Sequence, residues 1–171
     1  MIFRAAALAL VSALSLQQPK SAAEFGLFPP EKALVGEPHA PLMVLPRARM
    51  FRTELRRQAA MGADFNGHYR ISRFGCGTGC IEWGVIDLTN GQVWFNPGRS
   101  EMCFVTGEDT GKWAYPDWIE AHLDSRLIYV YSCQEKQFRA PHGFDTRQVF
   151  EWRAGHAVLL RSEPFTPTRV E

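Results

Sequence analysis

The sequence predicts a mainly β (α+β) domain, an antiparallel meander of about eight short strands preceded by one N-terminal amphipathic helix. Segments with strand-like periodicity follow one another from residue 68 to residue 162, with turn residues between them. Five Trp, 12 Phe and four Tyr suit pleated, half-buried strands. The stretch 47–61 has helical spacing and contains no Gly or Pro. A sandwich, a barrel and propeller-like blades all remain open.

Residues 1–23 have the order of a cleavable signal peptide. A single cation, Arg4, precedes an apolar run from Ala5 to Leu16, and small residues end the segment at Ala23. The run is shorter than the ~20 apolar residues that span a bilayer. No cysteine stands at the cleavage position for lipidation. We therefore expect cleavage after Ala23 and a periplasmic or secreted domain without a transmembrane segment; an apolar helix packed in a cytosolic core is the alternative.

The predicted mature chain has 148 residues, a usual size for a single domain. Its charges nearly balance: 17 basic and 18 acidic residues give a net charge of −1, because Arg4 and Lys20 leave with the signal peptide. Such a chain has no global attraction to nucleic acid or to an anionic membrane. We expect the partner to be another envelope or secreted protein, and the sequence leaves the oligomeric state open.

Four cysteines in an oxidising compartment predict two disulfides. Cys76, Cys80, Cys103 and Cys133 allow three pairings. We favour Cys76 with Cys80 and Cys103 with Cys133, because the first pair brackets a tight Gly-Thr-Gly turn. A pattern that joins Cys76 and Cys80 to the two later cysteines remains open. Structural zinc sites usually use two close cysteine pairs, and this chain has one. The sequence predicts neither a metal site nor a cofactor.

The segment from residue 24 to residue 46 contains five prolines and should form an extended arm. The single β-rich domain, residues 47–171, then begins with the helix predicted for 47–61. Phe51, Leu55 and Ala59 recur every four residues there, and Gly62 stands where a C-terminal cap belongs.

Eight strands complete the predicted domain. The second has apolar residues on both faces and should be a buried central strand. Asn90 and Gly91 accept positive φ, so the third strand should return antiparallel to the second. The longest loops, 107–115 and 134–145, are where binding is more often found. The strands are predicted at residues 68–74, 80–88, 92–96, 101–106, 117–122, 126–133, 146–152 and 156–162.

The densest local pattern runs from Asp64 through Phe65-Asn66-Gly67-His68-Tyr69-Arg70 to Phe74-Gly75-Cys76-Gly77-Thr78-Gly79-Cys80. Over residues 47–95 the chain resembles a group of secreted, largely uncharacterised bacterial proteins. These share an arginine-rich helix, the motifs NF-x-GHY and WGCGTGC, and a strand ending in D-x-x-TG. This chain differs from them in having Phe74 and Asn90. The resemblance implies an exported domain and assigns no catalytic residue.

A catalytic hypothesis centres on His68, which follows Gly67 at the start of a strand. His68 could act as a general base oriented by Asp64 or Asp87, with Cys76 as nucleophile if it is reduced. A histidine at this place is more often a hydrogen-bonded structural group. The sequence contains no G-x-S-x-G, H-E-x-x-H, P-loop or dinucleotide-binding motif.

A binding hypothesis uses the arginine-rich helix, the strand that follows it, and the glycine-rich loop. The backbone N–H groups of that loop could converge on an anion, and the alternative is that its glycines only permit a tight turn. The arginines have the alternative role of a solvated surface. The candidate binding residues are Arg52, Arg56, Tyr69, Arg70, Gly77, Thr78 and Gly79.

Two functional hypotheses therefore follow from the sequence. The first is a non-catalytic module that binds a protein or a ligand, for example an inhibitor or immunity-type protein. The alternative is a small periplasmic enzyme centred on His68 and the Cys76–Cys80 loop. We favour the first, because no recognisable catalytic motif is present.

Overall fold

A computed structural model gives the fold of this chain. It describes residues 20–77, 80–96, 100–101, 104–105, 113–114, 117–132, 139–140 and 144–169. Three helices precede the strands in the described part of the chain: α1 (Lys20–Phe25), α2 (Pro46–Met50) and α3 (Arg52–Ala59). None of the helices in the described ranges is long and apolar enough to cross a membrane.

Seven strands of three or more residues carry the described fold, and shorter strands accompany them. The longer strands are β1 (Tyr69–Gly77), β2 (Cys80–Asp87), β3 (Val93–Phe95), β7 (Ile119–Ala121), β8 (Leu127–Ser132), β10 (Thr146–Arg153) and β11 (His156–Pro164). The two-residue strands are β4 (Ser100–Glu101), β5 (Phe104–Val105), β6 (Trp113–Ala114), β9 (Arg139–Ala140) and β12 (Thr168–Arg169).

The longer strands form two open antiparallel sheets. The first has the order β1-β2-β3, with β4 also paired to β2, and the second has the order β11-β10-β8-β7. The short strands β5 and β9 pair in parallel. The prediction of a mainly β, antiparallel domain is confirmed. The predicted antiparallel return of β3 to β2 is also confirmed, and of the two predicted turn residues Gly91 alone has positive φ, +78°.

The two sheets face each other across an aromatic core. Trp83 and Val85 of β2 and Trp152 of β10 belong to one buried cluster, together with Ile128 and Val130 of β8. The strand β2 is buried on its other face as well, where Ile86 packs under the helices. This burial on both faces was predicted for the second strand, which is central in its sheet. The arrangement agrees with a sandwich of two sheets.

The helical segment predicted for residues 47–61 is divided. It forms α2 and α3, which meet at Phe51, a residue with φ −98° and ψ 18°. The Phe51 ring stacks on Phe74 of β1, with ring centroids 4.6 Å apart. The four-residue periodicity of apolar side chains predicts the buried face, and Leu55 and Ala59 are buried as expected. One non-helical residue leaves that periodicity intact, so the sequence pattern does not reveal the break.

The proline-rich arm runs along the domain without forming a helix or strand between residues 26 and 45. Its backbone N–H groups at Leu34, His39 and Leu42 donate hydrogen bonds to carbonyl oxygens of the domain, and the distances are 2.7–2.9 Å. The first of these acceptors is Gly67. The arm is therefore held along its length by backbone hydrogen bonds.

The segment Phe65-Asn66-Gly67-His68 forms the docking site for the arm. Asn66 has φ +43°, and its side-chain Oδ1 accepts a hydrogen bond of 2.7 Å from the Glu31 backbone N–H. A Cβ at Gly67 would lie 2.6 Å from the Lys32 carbonyl oxygen, and Gly67 has φ +79°. Only glycine allows the arm to approach this closely.

We predict that Gly67→Ala destabilises the protein more than Gly62→Ala does. Gly62 has a similar φ, +82°, but an added Cβ there meets nothing within 4 Å. Gly62→Ala therefore measures the conformational penalty alone, roughly 1–2 kcal/mol, and Gly67→Ala adds the clash with the arm. Urea unfolding of both variants gives the two losses, and limited proteolysis should cleave the arm faster only in Gly67→Ala. Equal losses and equal cleavage would contradict this account of the docking site.

Candidate functional site

A cavity of about 660 Å³ lies between the two sheets. Its walls come from β2 and β3 of the first sheet and from β10 and β11 of the second, and the residues Leu45, Pro46 and Arg47 close one side. Small-molecule sites are typically concave, largely apolar and 300–1,000 Å³ in volume. The cavity has the size and position of such a site.

Aromatic rings form most of the cavity wall. Trp83 and Trp152 are almost fully buried, and Trp94, Phe95 and Phe150 complete the wall. The Trp94 and Trp152 rings meet edge to face, with centroids 5.6 Å apart and an interplanar angle of 79°. Trp83 and Phe150 have the same kind of contact at 6.4 Å. These contacts hold the rings in fixed orientations, so the cavity has a defined shape.

The turn between β10 and β11 closes one end of the cavity. Ala154 and Gly155 both have positive φ, +48° and +82°, as a two-residue hairpin turn of type I′ requires. The Trp94 ring lies directly on Gly155, where an added Cβ would be 2.7 Å from Trp94 Cζ2. Glycine at this position lets a side chain of the first sheet pack on a turn of the second.

The indole nitrogens of two tryptophans that line the cavity are buried. Trp83 Nε1 makes no hydrogen bond within the described structure, and Trp152 Nε1 lies equally buried beside Tyr69. A buried donor without an acceptor costs about 1–3 kcal/mol. Burial raises the pKa of Tyr69 to about 12, and a hydrogen bond from the Trp152 indole to the Tyr69 hydroxyl opposes that increase. Both indole N–H groups therefore belong to the packed interior behind the cavity wall.

The rim of the cavity carries the remaining polar groups. Arg47 Nε donates to Glu82 Oε2 at 2.9 Å, and its guanidinium lies over the Phe95 ring, 5.1 Å from the centroid. His156 is exposed, and its Nδ1 lies 3.2 Å from the Ala154 carbonyl oxygen. Asn96 also lines the rim. The rim therefore combines a fixed guanidinium with an imidazole and an amide.

The candidate catalytic residues His68 and Asp87 lie away from the walls of this cavity. His68 is 8% exposed, and its Nδ1 lies 2.8 Å from the Lys32 carbonyl oxygen, so Nδ1–H donates to the arm. The other ring nitrogen, Nε2, is 3.8 Å from Asp87 Oδ1. Asp87 itself accepts hydrogen bonds from Thr89 and Asn90 in the β2–β3 turn. Both side chains are thus engaged in holding the arm and the turn.

Three further predicted site residues lie next to the docking site of the arm and form the docking region with it: Asp64, Tyr69 and Arg70. Asp64 Oδ1 accepts a hydrogen bond of 2.8 Å from the Ile71 backbone, and burial raises the pKa of Asp64. Arg70 Nη1 lies 3.5 Å from Asp64 Oδ2. Tyr69 is 5% exposed, and its hydroxyl donates to Glu31 Oε2 at 3.3 Å. Tyr69 also packs edge to face on Trp152, which links the docking region to the cavity.

The other predicted site residues do not join these. Arg52 and Arg56 are exposed on α3, and Arg56 contributes to a smaller, separate cavity of about 360 Å³ beside residues 37–41 of the arm. The strand β1 includes the backbones of Cys76 and Gly77, and β2 begins at Cys80. The register between these two strands is irregular between Gly75 and Gly77. Four predicted positions lie outside the described residues: Thr78, Gly79, Cys103 and Cys133. The disulfide pairing therefore stays a prediction.

The sequence analysis did not select the residues of the cavity wall. The sequence does contain a pattern that could have identified part of the wall: Phe150 and Trp152 are two residues apart on β10, and the turn Ala154-Gly155 follows. Alternation places both rings on one face, but it does not say which strand of another sheet faces them. In the described part of the chain, no group of three or more His, Cys, Asp or Glu side chains is arranged to hold a metal ion.

A second polar cluster anchors the start of the arm. Glu24 accepts hydrogen bonds of 2.8 Å from the Tyr129 hydroxyl and from Arg161 Nη2. Arg161 also donates to Glu163, which in turn accepts from Arg147. The hydrogen bond from Arg161 holds the pKa of Glu24 below its usual range, and the same residue lowers the pKa of Glu163. The next residue, Phe25, is buried and stacks on His122 at 4.0 Å.

Comparisons with protein-family models, with curated proteins and with solved structures find no match for this chain. The geometry of the cavity and of the docking region therefore carries the functional argument.

We predict that Glu24→Gln weakens the dependence of stability on acid pH. A carboxylate whose pKa is lower in the folded state than in the unfolded state stabilises the fold at pH values above its unfolded pKa. That contribution is lost as the pH falls from about 4.5 through the lowered pKa of Glu24. Glu24→Gln should be less stable than the parent at pH 7, and the difference should shrink towards pH 3.

Denaturant unfolding between pH 7 and pH 3 measures this effect. The matched control is Glu37→Gln, which changes an exposed glutamate of the same arm. The control should follow the parent at every pH. A Glu24→Gln variant that also follows the parent would show that the anchor does not contribute to acid stability.

Proposed function

We propose that this chain is an exported, non-catalytic binding module that holds a small, largely apolar molecule in the cavity between its two sheets. The observation that carries the proposal is the cavity itself, about 660 Å³ in volume and lined mainly by aromatic and other apolar side chains. Small-molecule sites are concave and mostly apolar, with a few polar groups at defined places. This cavity has an apolar wall with Arg47, Asn96 and His156 at its rim, which supports a small-molecule occupant.

The chemistry of the wall supports binding over catalysis. The described residues that line the cavity include no Asp, Glu, Cys, Ser, Thr, Tyr or Lys. Nucleophilic and general acid–base catalysis use side chains of these types or histidine. His156 is the titratable imidazole at the rim, and no carboxylate in the lining orients it. The side chains that the sequence proposed for catalysis have structural partners instead. His68 hydrogen-bonds to the arm, and Asp87 accepts hydrogen bonds within the β2–β3 turn.

The sequence-based version of this hypothesis favours a protein partner of inhibitor or immunity type. Its structural support is the exposed face of α3, where the positive charges of Arg52 and Arg56 would favour binding to an acidic partner surface. Arg57 on the same helix is paired with Glu54, which reduces the free charge of this face. The cavity is the stronger support, so we assign the ligand site to the cavity.

Export is part of the same proposal. Glu24 and Phe25 would be the first two residues of the mature chain, and both make specific contacts: Glu24 with Arg161 and Tyr129, and Phe25 in a buried cluster. Cleavage after Ala23 would leave the complete anchor of the arm in the mature domain. These contacts support a mature chain that retains Glu24 and Phe25.

The cavity proposal predicts saturable binding of 1-anilinonaphthalene-8-sulfonate, an apolar fluorescent probe with one anionic group. At ~0.3 kcal/mol for each non-hydrogen atom, the Kd should be on the order of 10 μM with one site for each chain. Ala157→Phe fills the cavity and should raise the Kd at least about tenfold. Fluorescence titration measures both values.

The matched control for Ala157→Phe is Val158→Phe, which adds a ring at the next residue of the same strand, on the opposite face of the sheet and outside the lining. The control should bind the probe as the parent does. If Ala157→Phe does not fold, Trp94→Leu tests the same wall, with Trp118→Leu as its control. Absence of saturable binding to the parent, or equal binding by parent and filled variant, would refute the proposal.

The export proposal predicts the mass of the protein recovered from the periplasm of a Gram-negative host. The full chain should be processed to residues 24–171, as measured by intact-mass spectrometry. Signal peptidase requires small residues at the last and third-last positions of the signal, so Ala23→Leu should block processing and Ala22→Leu should not. Recovery of the unprocessed parent chain in the cytoplasm would contradict export.

A further inference from the structure

We infer that the residues around α2 form a docking surface for an anionic phospholipid membrane. We call this the α2 surface, and it consists of exposed side chains on α2 and on the two residues before it: Val44, Leu45, Pro46, Arg49 and Met50. Membrane docking goes beyond the proposed function and does not require a ligand in the cavity.

Exposed apolar side chains are concentrated at this place. Ten large apolar side chains in the described part of the chain are exposed, and four of them lie within residues 42–50. Val44 is 70% exposed and Met50 is 76% exposed. Single exposed apolar residues are normal on a protein surface, whereas a group of them marks contact with a protein or a membrane.

Helical geometry brings the side chains of the α2 surface together. The Arg49 backbone N–H donates to the Leu45 carbonyl oxygen at 3.2 Å, so side chains four residues apart in this turn are neighbours. Leu45 and Arg49 are one such pair, and Pro46 and Met50 are the next. Ala48, on another side of the turn, is buried. The turn therefore buries one side and presents the α2 surface on the other.

Positive charge accompanies the apolar side chains. Arg49 Nε donates to the Met43 carbonyl oxygen at 2.9 Å, and Arg49 Nη2 lies 3.4 Å from the Val44 carbonyl oxygen. These acceptors are neutral, so the charge of the guanidinium is not compensated. Arg52 is exposed as well and has no ion pair within the described ranges. The sequence contains no Asp or Glu between residues 38 and 53.

A membrane interface fits this combination better than an acidic protein does. Segments that lie on membranes combine aliphatic side chains, which enter the boundary between headgroups and acyl chains, with arginines, which bind anionic headgroups. An acidic protein surface would pair with the arginines but would place carboxylates against the exposed Val44 and Met50 side chains, which cannot hydrogen-bond to them.

The attraction to the membrane should be local and sensitive to salt. The predicted mature chain has a net charge of −1, so the whole molecule is not attracted to an anionic surface. Arg47 is paired with Glu82 and adds little to the local charge. The remaining exposed guanidinium groups act over about one Debye length, which salt shortens.

The α2 surface adjoins the cavity. Leu45 and Pro46 line the cavity and are exposed at the same time, Leu45 by 44%. A membrane bound at the α2 surface would therefore lie against one side of the cavity. An apolar ligand would then have a short path between the bilayer and the cavity. This last step rests on the proposed function, whereas the membrane contact does not.

Vesicle cosedimentation tests the inference. The processed protein recovered from the periplasm is mixed with vesicles of phosphatidylcholine alone or of phosphatidylcholine with an equal amount of phosphatidylglycerol. We expect the anionic vesicles to bind the protein about tenfold or more tightly at low salt. The difference should shrink as the NaCl concentration rises from about 50 mM to about 500 mM.

The variant Arg49→Gln tests the charge of the α2 surface. It removes one cation and should weaken binding to the anionic vesicles about fivefold, the contribution of one arginine near an anionic surface. The matched control is Lys32→Gln, which removes a cation from an exposed residue of the arm outside the α2 surface. The control should bind the anionic vesicles nearly as the parent does.

The variant Met50→Gln tests the apolar part of the α2 surface. It should weaken binding to the anionic vesicles about fivefold or more, because an apolar side chain no longer leaves water on docking. The matched control is Leu27→Gln, which changes an apolar residue of the same exposure, 75%, at the start of the arm. None of the four substituted residues lines the cavity, so the Kd for 1-anilinonaphthalene-8-sulfonate should stay unchanged in all of them.

The outcomes separate this inference from the proposed function. Absence of binding to the anionic vesicles would overturn the inference and leave an acidic protein as the partner of the arginines. Equal binding to both vesicle compositions, or equal weakening by the variants and their controls, would also overturn it. Vesicle binding by a protein that does not bind the fluorescent probe would support the inference and refute the proposed function.

Discussion

The contact between the inner faces of two open sheets is the interaction on which the rest of this structure depends. Each sheet must bury one face, and here the buried side chains are mainly aromatic, with Trp83, Trp152 and Tyr69 at the centre. An aromatic side chain buries about 150–250 Å² and contributes several kcal/mol to folding. Large rigid rings that meet edge to face do not fill every space between two twisted sheets. The cavity is the space that they leave, so core packing and the proposed ligand site have one physical origin.

The arm gives the second constraint. An open sheet and a polar turn beside it need partners for their backbone groups. The arm supplies such partners at Gly67, Leu88 and Gly91, and its start is anchored by Glu24 and Phe25. This explains why the densest sequence pattern of the chain is found at residues 64–70. Residues of this pattern form hydrogen bonds with the arm. The His68 ring donates to the Lys32 carbonyl oxygen, and the Asn66 side chain accepts from the Glu31 backbone N–H.

The sequence predicted the parts of the fold that local periodicity determines. Six of the longer strands lie in segments that the sequence predicts as strands, and Asn90-Gly91 identified a hairpin correctly. These strands are β1, β2, β3, β8, β10 and β11. The break at Phe51 was missed because one residue outside helical geometry does not disturb a four-residue spacing. The cavity was missed for a different reason: Trp94 meets Gly155 and Trp152 only after two sheets have packed. The partners of His68 come from the arm, which no local pattern connects with it.

The end of the arm is also part of the cavity, since Leu45, Pro46 and Arg47 close one of its sides. On the proposed function, occupancy of the cavity and attachment of the arm would be linked equilibria. A ligand that contacts this side adds its binding energy only while the arm is in place, and a detached arm leaves the ligand with an incomplete enclosure. By thermodynamic reciprocity, whatever fixes the arm tightens the site, and whatever fills the site fixes the arm. Residues far from the ligand, such as Gly67 and Glu24, thereby acquire an influence on affinity without touching it.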